Sequence, residues 1–241
     1  MKKTNRVFVL SAAAFVAGLF VVSCGGSSNP QEASEELAAA IPTDGLLKEL
    51  PKLIYEEEIY KAQANKREQE IRESGAKEEK IRQELEIAWR EEREFKDANA
   101  AQKKEARKQL EGMEIPGEVE EGVPFKLTTN YVFHNNSLRA EGEYTADVTE
   151  ESSYSDYMVQ VLDTDGNIFF ASNQVFFTED GRPRKAGGQG YSPVSLSING
   201  SNAPDWAKVA KIIIKKGTKE QLDEIKEQQK EKFEAFRQSL K

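Results

Sequence analysis

The residue types that most often do chemistry are scarce in this chain, which holds one cysteine, Cys24, and one histidine, His134. A Cys–His or Ser–His–Asp nucleophile needs a general base beside it. His134 stands at the start of His134-Asn135-Asn136-Ser137, which reads as a hairpin turn with no nucleophile-elbow motif nearby. Zinc needs a cluster of His and Cys ligands that these two residues do not supply. Asp163, Asp165 and Asn167 alternate like the first ligands of a calcium loop. Gly166 comes too early for an EF-hand, however, and Gln174 stands where the bidentate Glu belongs, so Asp163-Thr164-Asp165-Gly166 is read as a turn. Gly187-Gly188-Gln189-Gly190 follows a basic loop and leads into a strand, the wrong context for a phosphate cradle. Carboxylates are too numerous for any pair to mark a glycosidase. The sequence therefore predicts no catalytic residue, no metal and no cofactor. Two features remain that suit recognition. Arg182, Arg184 and Lys185 form a positive patch in the Gly181–Tyr191 loop, beside Tyr191, suited to an anionic glycan or a partner protein. Trp206, after Pro204-Asp205, could stack on a sugar, or could be core beside the last strand.

Cys24 has a different chemistry. Lys2, Lys3 and Arg6 precede an apolar run from Val7 to Val22, and small, polar residues follow from Ser23 to Pro30. A run of that length with those flanks suits a cleaved secretory signal better than a spanning helix, which wants roughly 20 apolar residues. The residues Val21-Val22-Ser23-Cys24 resemble the lipobox of bacterial lipoproteins, with Val21 where that family usually has Leu. The resemblance implies a thioether-linked diacylglycerol on Cys24, cleavage before it, and acylation of the new amino group. Two or three chains make a durable anchor, because each buried methylene contributes about 0.8 kcal/mol and one chain holds only reversibly. Gly25, where the family's inner-membrane retention signal has Asp, implies the outer membrane. The acidic cluster Glu32, Glu35 and Glu36 is similar to the surface-export signal of some lipoproteins, and leaves the periplasmic or surface-exposed face open.

Removing residues 1–23 takes away three positive charges and moves the formal charge from −8 to −11. Nucleic acid is excluded as a partner, since phosphate binding needs a basic face. Composition then divides the chain into an expected signal peptide at 1–23, a flexible tether at 24–31, a charged helical region at 32–111, a β domain at 119–216 and a C-terminal helix at 217–241. In the helical region Leu46, Leu50, Leu53, Tyr60, Ala64 and Ile71, then Ile81, Leu85, Ala88 and Phe95, follow a coiled-coil-like 4–3 spacing. Glu57, Arg67, Glu92 and Asn99 interrupt it. Ser74-Gly75 leaves two geometries open: a hairpin whose apolar stripes cover each other, or one long helix tolerating a glycine. The hairpin is preferred because it gives Trp89 and Phe95 a partner.

From Val123 the period changes to two. Phe125, Leu127, Thr129, Tyr131 and Phe133 alternate with Lys126, Thr128, Asn130 and Val132, Asn135-Asn136-Ser137 turns the chain, and Leu138, Ala140, Gly142, Tyr144, Ala146 and Val148 alternate on the way back. Further strands are expected from Tyr157, at Ile168–Ala171, Gln174–Thr178, Val194–Ile198 and Val209–Lys215. The pattern is similar to the Ig-like modules found in many bacterial lipoproteins, which implies an antiparallel β-sandwich. Thr218 and Gln221 read as a capping box for a last helix, whose stripe Leu222, Ile225, Phe233, Phe236 and Leu240 is expected to pack on the rest of the protein. The expected class is α+β: a helical arm, a sandwich and an amphipathic helix. The expected role is a non-enzymatic, membrane-anchored structural or protein-interaction module of the cell envelope, with extracellular glycan binding as the alternative.

Overall fold

The computed structural model describes residues 29–148, 157–173 and 184–240. The protein is a mixed α and β chain: three N-terminal helices, two antiparallel-rich sheets and a C-terminal helix. Cys24, Arg182 and the strand expected at Gln174–Thr178 lie outside the described residues.

Asn29 caps the first helix, α1 (Pro30–Ala38). Its side-chain oxygen accepts from the Gln31 amide at 3.1 Å, and Pro30 sits in the first turn, where its missing N–H is no loss. The helix thus begins inside the stretch expected to be tether. Next come α2 (Glu49–Glu73) and α3 (Glu78–Leu110). Gly75, at φ +67°, makes the turn between them, and the Ser74 hydroxyl accepts from the Ala76 amide at 3.3 Å. Of the two geometries left open, the hairpin forms. Tyr60 and Phe95 stack with centroids 3.7 Å apart, Glu57 pairs with Lys103, and Arg67 donates to Glu91 at 2.6 Å. Burial is concentrated at the base: Leu50, Leu53, Ile59 and Tyr60 of α2 are buried, whereas none of its residues beyond Tyr60 is.

One sheet holds β1 (Glu114–Ile115), β3 (Phe125–Leu127), β4 (Tyr131–His134), β5 (Ser137–Tyr144) and β8 (Gln189–Ser195). The other runs β2 (Gly117–Val119), β9 (Val209–Lys216), β6 (Tyr157–Asp163), β7 (Ile168–Asn173). Among the described strands all pairs are antiparallel except β2 with β9. β structure therefore begins at Glu114, earlier than the boundary expected at 119. Asn135 and Asn136, both at positive φ (48° and 61°), make the tight turn from β4 to β5, as their sequence suggests.

The alternation from Phe125 to Phe133 is two strands rather than one. Leu127 pairs with Gly142 and Val132 with Arg139, so five steps along one chain match three along β5. The surplus loop is pinned to Glu141, whose amide donates to the Thr129 hydroxyl at 2.9 Å and whose carbonyl accepts from the Thr128 amide at 2.9 Å. An insertion of two residues leaves the period-two pattern in phase, which is why Phe125, Tyr131 and Phe133 all still point inward. Opposite them, Gly142 of β5 and Gly190 of β8 are register partners. A Cβ on Gly142 would lie 2.3 Å from Phe125 Cζ, and one on Gly190 would lie 2.8 Å from Tyr144 Cε2. The two glycines leave the slot that these rings fill, edge to face at 5.5 Å.

The inner faces of both sheets share one core. Phe133, Leu138 and Val194 of one meet Val159, Val161 and Ile212 of the other, and Leu47, Leu50 and Leu110 at the base of the hairpin join them. Each such side chain contributes about 1.5–3 kcal/mol when fully buried. A short helix, α4 (Ala203–Trp206), leads into β9.

The last helix, α5 (Lys219–Ser239), carries the expected capping box: the Thr218 hydroxyl accepts from the Gln221 amide at 3.3 Å and the Gln221 side chain accepts from the Thr218 amide at 3.1 Å. It lies along β7, with Leu222 and Ile225 packed on Met158 and Ala171. Phe236 meets the Tyr55 ring at 5.6 Å. Phe233, expected in the same buried stripe, is instead 42% exposed. The packed face is completed by two polar side chains: Gln229 donates to the Phe169 carbonyl at 3.0 Å, and Lys232 pairs with Asp205.

Candidate functional site

The described part of the basic loop, from Arg184 on, is tied down by its neighbours. Arg184 exchanges two backbone hydrogen bonds with Val148, at 2.9 and 3.0 Å, and its guanidinium bonds the Tyr144 hydroxyl. Burial pushes that hydroxyl's pKa up, and Arg184 opposes the shift. Lys185 donates to Asp147 at 2.7 Å, and the Ala186 amide donates to the other oxygen of the same carboxylate at 3.0 Å. The Lys185 bond, with the Ala186 amide behind it, holds Asp147 below the usual carboxylate range. Tyr191 belongs to β8 rather than to a loop. Its ring is 44% exposed and lies under the Arg139 guanidinium, 3.6 Å from the centroid.

Trp206 is fully buried, edge-on to Phe169 at 5.1 Å and tilted against Phe170 at 5.7 Å. A ring enclosed this way offers no face to a sugar, so the core reading of Trp206 holds. Arg184 and Lys185 pair with Val148 and Asp147, beyond the end of β5, whereas Tyr191 stands opposite Glu141 within β5, and Trp206 lies in the shared core.

The acidic turn after β6 is likewise local. One Asp163 oxygen accepts from the amides of Asp165 at 3.0 Å and Asn167 at 2.8 Å, and the other accepts from Asn167 Nδ2 at 3.1 Å. The carboxylate is committed to its own backbone. His134 is similarly engaged, with Nδ1 at Glu111 and Nε2 at the Asn135 amide nitrogen, 2.8 Å away.

A different place stands out among the described residues. Where α1 crosses the hairpin, a cavity of about 240 Å³ is walled by Glu35 of α1, Glu56 of α2, and Glu91, Glu94, Phe95 and Asn99 of α3. Burial, and then the charge of Glu35, push the Glu56 carboxyl above its ordinary range, against the pull of Lys52. Asn99 is 3% exposed, with Nδ2 donating to the Leu53 carbonyl at 3.0 Å and Oδ1 meeting no donor. Sequence reasoning did not find this site. Its one signal was Asn99 itself, a polar residue in an apolar seam.

No family model, curated protein or solved structure matches the chain. What the residues can do must come from the geometry. On the hairpin, Trp89 and Ile87 are 42% and 41% exposed, and Trp89 Nε1 donates to Glu68 at 3.3 Å. The arm therefore presents an amphipathic indole whose polar edge is already fixed. No helix of the described residues is long and apolar enough to cross a membrane.

Proposed function

We propose that the chain is a lipid-anchored, non-enzymatic interaction module of the bacterial cell envelope, held to the outer membrane through Cys24 and meeting a partner protein through its helical arm. The observation that carries the reading is the rooting of the hairpin. Leu47, Leu50 and Leu110 lie in the same core as both sheets, so the arm and its exposed Trp89 are held by the body. Only four residues, five steps of the chain, separate Cys24 from Asn29, the cap of α1. At roughly 3.5 Å per residue they span at most about 20 Å, so an acyl anchor at Cys24 would keep the arm close to the bilayer. In this reading the hairpin works as a short coiled-coil-like arm and the two sheets as an Ig-like sandwich.

Mass spectrometry of the membrane fraction tests the anchor, with an acylated N-terminal Cys24 expected and Cys24→Ala expected to move the protein into the soluble fraction. A membrane-bound protein still carrying residues 1–23 and an unmodified Cys24 would overturn it. Photo-crosslinking in intact cells from position 89, compared with position 141 on the sheet, tests the arm. Equal yields at the two positions would remove the arm from the proposal.

A further inference from the structure

Helix α3 lays Glu91, Glu94, Phe95 and Asn99 along one face, and the cavity they line is closed by Glu35 and Glu56 from the other two helices. Arg67 neutralises Glu91 at 2.6 Å, and among the described residues no basic side chain is paired with Glu35, Glu56 or Glu94. Several other acidic groups on the hairpin are matched, as Glu57 is by Lys61 and Lys103, Glu68 by Arg72 and Glu92 by Lys96, while others such as Glu70 and Asp97 stand in open solvent without an ion pair among the described residues. A second observation is independent of charge. Asn99, almost wholly buried in the cavity wall, keeps an acceptor oxygen without a donor. A buried acceptor without a partner is costly, and a donor arriving in the cavity would remove that cost. The carboxylates do not converge on a point: among the described residues no three His, Cys, Asp or Glu side chains stand close enough to ligate one metal ion. Dispersed carboxylates, an amide acceptor and the Phe95 ring match a cation that is itself extended and rich in N–H donors.

We propose that this cavity binds a protonated organic amine or guanidinium group, its charge facing Glu35, Glu56 and Glu94, its methylenes on Phe95, and one N–H donated to Asn99 Oδ1. The inference does not depend on the lipid anchor.

Isothermal titration of the full chain in detergent, with three probes, tests it: 1,5-diaminopentane, an acetylated and amidated lysine- or arginine-containing tripeptide, and calcium chloride. Saturable one-to-one binding of an organic cation is expected. The combined Glu35→Gln, Glu56→Gln and Glu94→Gln variant should weaken it about tenfold or more. Glu143→Gln on the sheet should leave it unchanged. Tighter binding of the diamine identifies a free small amine as the ligand, and tighter binding of the peptide identifies a partner's side chain; either supports the site. The proposal is overturned if neither organic cation saturates in the millimolar range, if the triple variant binds as the parent does, or if calcium competes at the same glutamates. A thermal melt of the variant, expected at or above that of the parent, separates lost binding from lost fold.

Discussion

Replacing Phe236 by Ala and, separately, Phe233 by Ala gives a sharp test of how α5 is seated. The residues are three apart on one helix and chemically identical, yet one ring meets Tyr55 at 5.6 Å and crowds Gly200, while the other is 42% exposed. A fully buried Phe→Ala substitution costs about 3–5 kcal/mol. Phe236 is half-buried, which scales that to about 2 kcal/mol, and the aromatic contact with Tyr55 adds about 0.5 kcal/mol. The expected loss for Phe236→Ala is about 2–3 kcal/mol, a fall in Tm of about 4–12 °C for a chain of this size. For Phe233→Ala the terms nearly cancel. The cation–π contact with Arg237, 5.9 Å from the ring, is worth about 0.5 kcal/mol at an exposed site, and alanine's better helix propensity returns about as much. Its Tm should move by less than about 2 °C. Circular dichroism melts of the two variants side by side are the assay. Equal losses, or a larger loss for Phe233→Ala, would show that the seat of α5 has been rotated and would refute the reasoning.

Three further outcomes follow from the same structure. Glu56→Gln should raise Tm at neutral pH by the equivalent of about 0.5 kcal/mol or less, since water still reaches this carboxylate. The folded pKa is raised, so the folded chain holds the proton more tightly and stability falls as pH rises above the ordinary carboxylate value. The gain should therefore vanish in melts near about pH 4, and a gain that persists there would contradict the electrostatic origin. Asp163→Ala removes the acceptor of three hydrogen bonds in the β6–β7 turn and should cost about 1–2 kcal/mol by chemical denaturation, while added calcium should leave the parent's midpoint where it is. Gly142→Ala puts a methyl 2.3 Å from Phe125 Cζ and 2.4 Å from the Lys126 carbonyl oxygen, so it should destabilise by about 2–3 kcal/mol in a thermal melt; a neutral result would mean the slot between the glycines is open.

Much of this fold could be read in the residues, and the failures have identifiable physical causes. The hairpin followed from Ser74-Gly75 and from rings that needed partners, and the β4–β5 turn from Asn135-Asn136. The break at Thr128 was hidden because two surplus residues leave the alternation unchanged. β8 was placed too late because Gly190 and Pro193 look like loop. Among the described residues β8 is paired with β5 alone, and a proline is tolerated in a strand with a free edge. In α5, at about 100° per residue, Phe233 sits only about 60° from the centre of the face formed by Leu222, Ile225, Gln229, Lys232 and Phe236. Which margin of the stripe is covered depends on where the Phe169 carbonyl and Asp205 stand, and neither is local in sequence. The acidic cavity needs three helices to converge, so its glutamates looked like any solvated charge run.

The second sheet places β9 between β2 and β6, and β9 is the last strand of the chain. Its partner β2 lies far earlier in the sequence, beside the root of the hairpin. As a growing or threading chain emerges from its N-terminus, β2 and β6 therefore face an empty lane until residues 209–216 arrive. Helical segments joined by short turns can form early, whereas this sheet waits for contacts of high sequence separation. The second sheet therefore closes only when its last strand slots in. Any truncation reaching into residues 209–216 should consequently abolish the second sheet as a unit rather than trim its edge.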